Sequence, residues 1–146
     1  MLLTELTHPD MLRALGTAGH GANILIADGN YPLETRSYKG CTRVYLNLRP
    51  GQVPVTDVLQ AVLTAVPIEA AYVMPPPEGM EAAPIFKEFR ELLRGTDGRG
   101  GDPEMVSMDR YAFYDLARKE DTVLAVATGE QRIYANILLT IGVRHA

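Results

Sequence analysis

Gly19-His20-Gly21-Ala22-Asn23-Ile24-Leu25-Ile26-Ala27-Asp28-Gly29-Asn30 is the stretch on which the fold turns. Asn23 to Ala27 is an aliphatic run too short for a helix, rich in β-branched residues, and closed by the turn chemistry of Asp28-Gly29-Asn30. That combination predicts a buried strand delivered into a loop. The run lacks polar alternation, so the strand is buried on both faces and other elements must cover both sides of its sheet. Upstream, Thr7-His8-Pro9-Asp10 followed by Met11, Leu12 and Leu15 reads as a helix start, with Thr7 or His8 near the cap and Pro9 at the first helical position. Gly16 weakens the last turn of that helix, and Gly19 and Gly21 let the chain turn out of it.

Working outward, residues 30–42 carry polar and aromatic side chains without periodicity and form a long connection. Loops of that length inside compact domains are more often functional than incidental, so residues 29–40 are a candidate rim of a site. Thr42 to Leu48 alternates Val44, Leu46 and Leu48 against Arg43, Tyr45 and Asn47, predicting a half-buried strand. Val55, Val58, Leu59, Val62, Leu63 and Val66 fall on one helical face that Pro67 terminates. A strand over 69–74, a stiff proline turn, an amphipathic helix over 81–94 and a flexible glycine-rich loop over 95–101 follow. Then come a strand over 104–108, a helix capped by Asp109 and running to about Lys119, a strand over 122–128 and a last strand over 136–141. This alternation predicts one domain over residues 1–146, a three-layer α/β/α fold with a mostly parallel central sheet.

Composition narrows the function. A chain of 146 residues, 47% hydrophobic, buries about 68–70% of its unfolded surface without disulfides or a structural metal. A net charge of −4 leaves no basic face to neutralise phosphates, so no nucleic acid partner is expected. No apolar run approaches the ~20 residues of a membrane span, and no basic leader precedes an apolar segment, so no membrane partner is expected. The single cysteine, Cys41, excludes an intrachain disulfide and fits a reducing compartment, pointing to the cytoplasm. The phosphate loop, nucleophile elbow, zinc-protease and Cys-x-x-Cys motifs are absent, and three scattered histidines make no metal site.

The chemistry-bearing candidates are few. His20, between two glycines, can be projected at a strand end, or it can serve as a helix C-cap. Asp28 stands at the carboxyl end of a strand, where α/β sheets place ligand-binding groups, though Asp-Gly-Asn also makes an Asx turn. His20 and Asp28 lie a strand length apart, so a shared site needs either a turn that folds back or a second subunit. Arg110, beside Tyr111, Phe113 and Tyr114, is either a surface residue or a rigid fork for sugar hydroxyls or a carboxylate. Tyr134-Ala135-Asn136 offers an aromatic cover and an amide suited to a polyol, and equally suits a simple turn.

Together, Gly19-His20-Gly21, the strand to Asp28, Tyr31-Pro32, Arg110-Tyr111-Ala112-Phe113-Tyr114, Thr128-Gly129-Glu130 and Tyr134-Ala135-Asn136-Ile137-Leu138-Leu139 resemble the ribose pyranase and fucose mutarotase (RbsD/FucU) family. The motifs are collinear and extend nearly end to end. The resemblance implies exchange of sugar ring forms without a cofactor. It also implies a catalytic histidine at His20, sugar contacts at Asp28, Arg110 and Tyr134 to Asn136, and a ring-shaped homo-oligomer, commonly a decamer of two pentamers. Arg110 with its aromatic neighbours is similar to the fucose mutarotase branch, whereas Ala135 is similar to the pyranase branch; L-fucose is the favoured substrate. D-ribose pyranase activity, or sugar binding without catalysis, is the alternative.

Overall fold

A computed structural model describes residues 1–146. Strand β1 (Asn23–Ala27) is buried at every position, and its side chains alternate between two cores. Ile24 and Ile26 join the larger core with residues of three helices: α1 (Pro9–Thr17), α2 (Val55–Leu63) and α3 (Ile85–Leu93). Leu25 and Ala27 face a smaller core built from Phe113 and Ala117 of α4 (Arg110–Ala117) together with Tyr31 and Leu33. The three layers are therefore unequal. Three helices cover one face, while a single helix and the 28–41 connection cover the other.

The remaining strands are β2 (Thr42–Tyr45), β3 (Ile68–Val73), β4 (Glu104–Ser107), β5 (Thr122–Ala127) and β6 (Ile137–Ile141), and the sheet order is β2-β5-β1-β6-β3-β4. β1 pairs in parallel with β5, β5 with β2, and β3 with β4. β6 is antiparallel to both neighbours, β1 and β3. The sheet is thus mostly parallel, with its one reversed strand at the centre. Because β5 and β6 flank β1, the residues joining them cross the carboxyl end of β1, and that crossing builds the site described below.

Several boundaries differ from the sequence expectation. β2 stops at Tyr45 because its partner β5 ends at Ala127, the residue opposite Tyr45. Leu48, expected to face inward, is exposed. α3 begins at Ile85 rather than at 81, because Pro84 disfavours helical backbone at Ala83. The glycine-rich 95–101 stretch is a defined turn. Asp97 Oδ1 accepts from the N–H groups of Arg99 at 2.7 Å and Gly101 at 2.8 Å, and Gly95, Gly98 and Gly100 supply positive φ angles. His8 caps α1 as read, accepting from the Met11 N–H, and Asp109 caps α4 through the N–H groups of Tyr111 and Ala112.

Candidate active site

The 128–136 connection is fixed to the carboxyl end of β1 by backbone bonds, Thr128 N–H to Ala27 O and Gly29 N–H to Glu130 O. The approach is close enough that a Cβ on Gly129 would collide with the carbonyls of Arg49 and Gln52. Behind this crossing, the buried Glu130 carboxylate accepts from the Val55 N–H, at the start of a helix whose Pro54 cap supplies no side-chain acceptor. It also accepts from the backbone and guanidinium of Arg132, whose Nη1 reaches Glu88 on α3 at 2.8 Å. Burial by itself pushes the Glu130 carboxyl up, but the Arg132 bonds outweigh it and hold the group below the usual carboxylate range. Glu130 entered the sequence analysis only as part of the Thr128-Gly129-Glu130 motif, with no role assigned, and Arg132 carried no signal there.

Past this anchor, Tyr134 adopts φ 60°, a left-handed conformation that costs a non-glycine residue about 1–3 kcal/mol and persists only where its surroundings hold it. Two residues on, Asn136 meets Asp28 reciprocally. The Asp28 N–H donates to Asn136 Oδ1 at 2.8 Å, and Asn136 Nδ2 donates to Asp28 Oδ2 at 2.9 Å. Asp28 Oδ1 also accepts from the Asn30 N–H at 3.0 Å. Asp28 thus closes an Asx turn and also lines the cleft described next. Burial pushes its carboxyl above the usual aspartate value, against the pull of the Asn30 N–H, the Asn136 amide and the backbone at Tyr31 and Ala135.

These groups open into a cleft of about 270 Å³ at the carboxyl edge of the sheet. Asp28, Arg110, Tyr134 and Asn136, four of the residues at which the resemblance implied sugar contacts, all line it. Ala135 does not; its side chain is fully buried in the larger core. Arg110, at the first turn of α4, is exposed and makes no ion pair within the chain. The lining also includes Asn30, Tyr31, Pro32, Met74, Tyr114 and Ile133. The first three lie in the expected 29–40 rim, and Tyr114 is signalled by its position four residues after Arg110 on one helix face. Met74 and Ile133 had no sequence signal.

The rim is rigid. Arg43 donates to Ser37 Oγ at 3.0 Å, to the Glu34 and Ser37 carbonyls and to the Glu34 carboxylate, tying residues 34–37 to β2. The Tyr31 hydroxyl donates to Arg36 O at 2.7 Å, its ring packs edge-on against Phe113 and Tyr114, and burial pushes its phenol far up, so it stays a neutral wall. The Arg36 guanidinium lies 5.2 Å above the Tyr114 ring.

His20 is elsewhere. It precedes β1 at the amino edge of the sheet, whereas the cleft lies beyond the carboxyl end of that strand. It is not a helix cap, a place taken by Ala18. Its Nε2 instead meets Glu69 Oε2, on β3, at 2.7 Å, and both side chains are about half exposed. Five strand residues hold the two edges about 17 Å apart, further than an imidazole reaches. Nothing in the chain groups three or more His, Cys, Asp or Glu side chains as metal ligands, and no helix is long and apolar enough to cross a membrane.

Comparison with known proteins places this geometry. The chain is similar to a fucose mutarotase of Danio rerio, 34% identical over 92% of this chain and 88% of the relative. It superposes on FucU from Bifidobacterium longum with a TM-score of 0.77 at 33% identity, over 93% and 94% of the two chains. A fucose mutarotase of Streptococcus pneumoniae, solved in complex with L-fucose, matches with a TM-score of 0.75 at 29% identity, covering 93% of each chain. With its residues 1–144 matched by the model of that family, the chain belongs to the RbsD / FucU transport protein family.

Proposed function

We propose that this protein is a carbohydrate isomerase, a mutarotase that interconverts the anomers of L-fucose in the cytoplasm. The observation that carries the mechanism is the separation just described. The cleft holds the groups that grip a polyol, and the one imidazole backed by a carboxylate stands at the opposite edge of the sheet.

His20 of a second copy completes the cleft. A contact that joins the amino edge of one subunit to the carboxyl edge of the next is heterologous when it runs head to tail, and then closes into a ring or runs on as a filament; made twice about a two-fold axis, it closes as a dimer. A closed homo-oligomer satisfies this site, and a ring-shaped decamer of two pentamers is the form the family resemblance suggests. Glu69 accepts the Nε2 proton of His20 and fixes the ring, leaving Nδ1 for proton exchange.

Opening the sugar removes the proton of the anomeric hydroxyl, breaks the C1–O5 bond with its electron pair passing to O5, and delivers a proton to O5. The aldehyde then rotates about C1–C2 and recloses on either face by the reverse steps. The His20 imidazole carries the proton. Asp28 and Asn136 orient hydroxyls, Tyr134 covers a ring face, and Arg110 binds hydroxyls and stabilises developing oxyanion character. General acid–base help of this kind gives about 10²–10⁴-fold, or roughly 3–5 kcal/mol off the barrier.

The test is proton exchange NMR on L-fucose and D-ribose at equilibrium. Wild-type protein accelerates L-fucose exchange and His20→Ala abolishes it. Mixing then places the histidine. His20→Ala and Asn136→Ala subunits are each inactive alone, but randomly reassembled at equal amounts they give about one competent site in four, the product of two even chances. Full activity in a folded His20→Ala protein overturns the assignment of His20, and no recovery on mixing overturns its supply by a neighbour.

A further inference from the structure

The cleft wall is chemically divided, and the sheet order shows where. Asp28 and Asn136 stand at the ends of β1 and β6, and Met74 follows β3, the next strand along. Neighbouring strands lie about 4.8 Å apart, so Met74 is displaced from Asp28 by roughly 10 Å, the span of a substituted pyranose. Met74 is 5% exposed, and its thioether offers a hydroxyl only a weak acceptor. Ile133 belongs to neither core cluster and is 62% exposed, a β-branched apolar side chain held at the mouth of a cleft that binds a polar molecule.

We propose that Met74 and Ile133 form an apolar subsite that reads the substituent on C5 of the sugar, selecting a 6-deoxyhexose over its 6-hydroxy counterpart. The inference rests on the mutarotase reading. A methyl group placed against these side chains leaves water at no loss. A hydroxymethyl group there gives up hydrogen bonds to water and finds no partner of equal strength. Discrimination in an apolar pocket that must reject one added hydroxyl reaches about 10–100-fold.

Three sugars separate the possibilities. L-galactose is L-fucose with a hydroxyl on C6, and D-arabinopyranose is L-fucose without its methyl group. Exchange NMR gives kcat/KM for each with wild type, Ile133→Asn and Met74→Gln, the first variant being at an exposed position outside both cores. Wild type prefers L-fucose to L-galactose by about 10–100-fold, and either variant moves that ratio toward parity by about tenfold. Each variant also loses more activity on L-fucose than on D-arabinose. An unchanged L-fucose to L-galactose ratio in Ile133→Asn and in Met74→Gln overturns the subsite. So does an equal fall on L-fucose and D-arabinose, which marks a merely structural role. A wild-type protein that accelerates none of the three sugars overturns the mutarotase reading itself.

Discussion

Asn136→Asp tests the paired arrangement at the centre of the cleft. The substitution keeps the side-chain oxygen that accepts from the Asp28 N–H and removes the Nδ2 donor that satisfies Asp28 Oδ2 at 2.9 Å. Two carboxylates then face each other where both residues are buried. They cannot both ionise there, so at neutral pH one takes up a proton and donates to the other. Keeping a proton at pH 7, about three units above the ordinary aspartate value near 3.9, costs at about 1.36 kcal/mol per unit roughly 4 kcal/mol. Any benefit from the new carboxyl hydrogen bond reduces this figure, so it is an upper bound. The sign follows from the raised pKa: the folded pair holds a proton that the unfolded chain releases, so the penalty grows as pH rises. At pH 5 the same reasoning leaves about 1.5 kcal/mol. Urea unfolding of variant and wild type, at one protein concentration and at pH 5, 6, 7 and 8, reads the difference directly. Asn136→Ala is the control, expected to lose about 1–3 kcal/mol with no such slope. A penalty for Asn136→Asp that does not rise with pH, or that stays under about 1 kcal/mol at pH 7, refutes the reasoning.

Gly129→Ala drives a Cβ into the carbonyls of Arg49 and Gln52 and should cost about 1–3 kcal/mol in denaturant unfolding, whereas Gly16→Ala, in α1 with nothing nearby, should stabilise by up to about 0.5–1 kcal/mol. Glu130→Gln should destabilise by about 2–3 kcal/mol at neutral pH. Because the folded Glu130 pKa is depressed, its contribution is present above the ordinary glutamate range and disappears as pH falls through the folded value, so variant and wild-type stabilities should converge in acid unfolding curves. Arg43→Ala unties residues 34–37 from β2 and should raise KM for the sugar several-fold more than it lowers kcat, since the loosened segment adjoins the Tyr31 and Pro32 wall and not the reacting atoms.

Most of the fold was legible because its strongest signals are local. The Asn23 to Ala27 run, the Pro9 start and the Asp109 cap each have one physical reading, and each element formed where that reading put it. Boundaries failed where a partner decided them. Leu48 alternates correctly with Val44 and Leu46, yet no strand residue stands opposite it once β5 ends at Ala127. At the cleft, Asp28, Arg110, Tyr134 and Asn136 were each left open by their own neighbourhoods and picked out by the family resemblance, and strand ends and a capped helix start carry them to one edge. Ala135 was overread, since adjacency in sequence does not give adjacency of side chains, and its methyl turns into the core. Met74 and Ile133 were invisible because nothing in an apolar residue's own neighbourhood tells a cleft wall from a core position. The Glu130–Arg132–Glu88 clamp depends on α2 and α3 packing behind the 128–136 crossing, a relation between distant segments that no spacing encodes.

The reversed central strand is the physical ground for the proposal that binding and proton transfer are divided between subunits. In a wholly parallel sheet, each strand end is followed by a crossover that leaves the edge; here the chain instead runs from β5 across the end of β1 into antiparallel β6. That short path pairs Asn136 with Asp28, brings Tyr134 to the same cleft, and builds from a single chain the surface proposed to grip the sugar. The same sheet, buried on both faces, is a wall no side chain crosses, so a histidine before β1 cannot serve the cleft after it. A polar cleft open to water on one side is also a poor place for proton transfer to a ring oxygen, because solvent competes for each hydrogen bond. A neighbour that brings His20 and Glu69 over the opening supplies the imidazole and excludes that water in one contact. On this reading, sugar binding belongs to the subunit and catalysis belongs to the ring, and dilution below the assembly threshold removes the second while leaving the cleft intact.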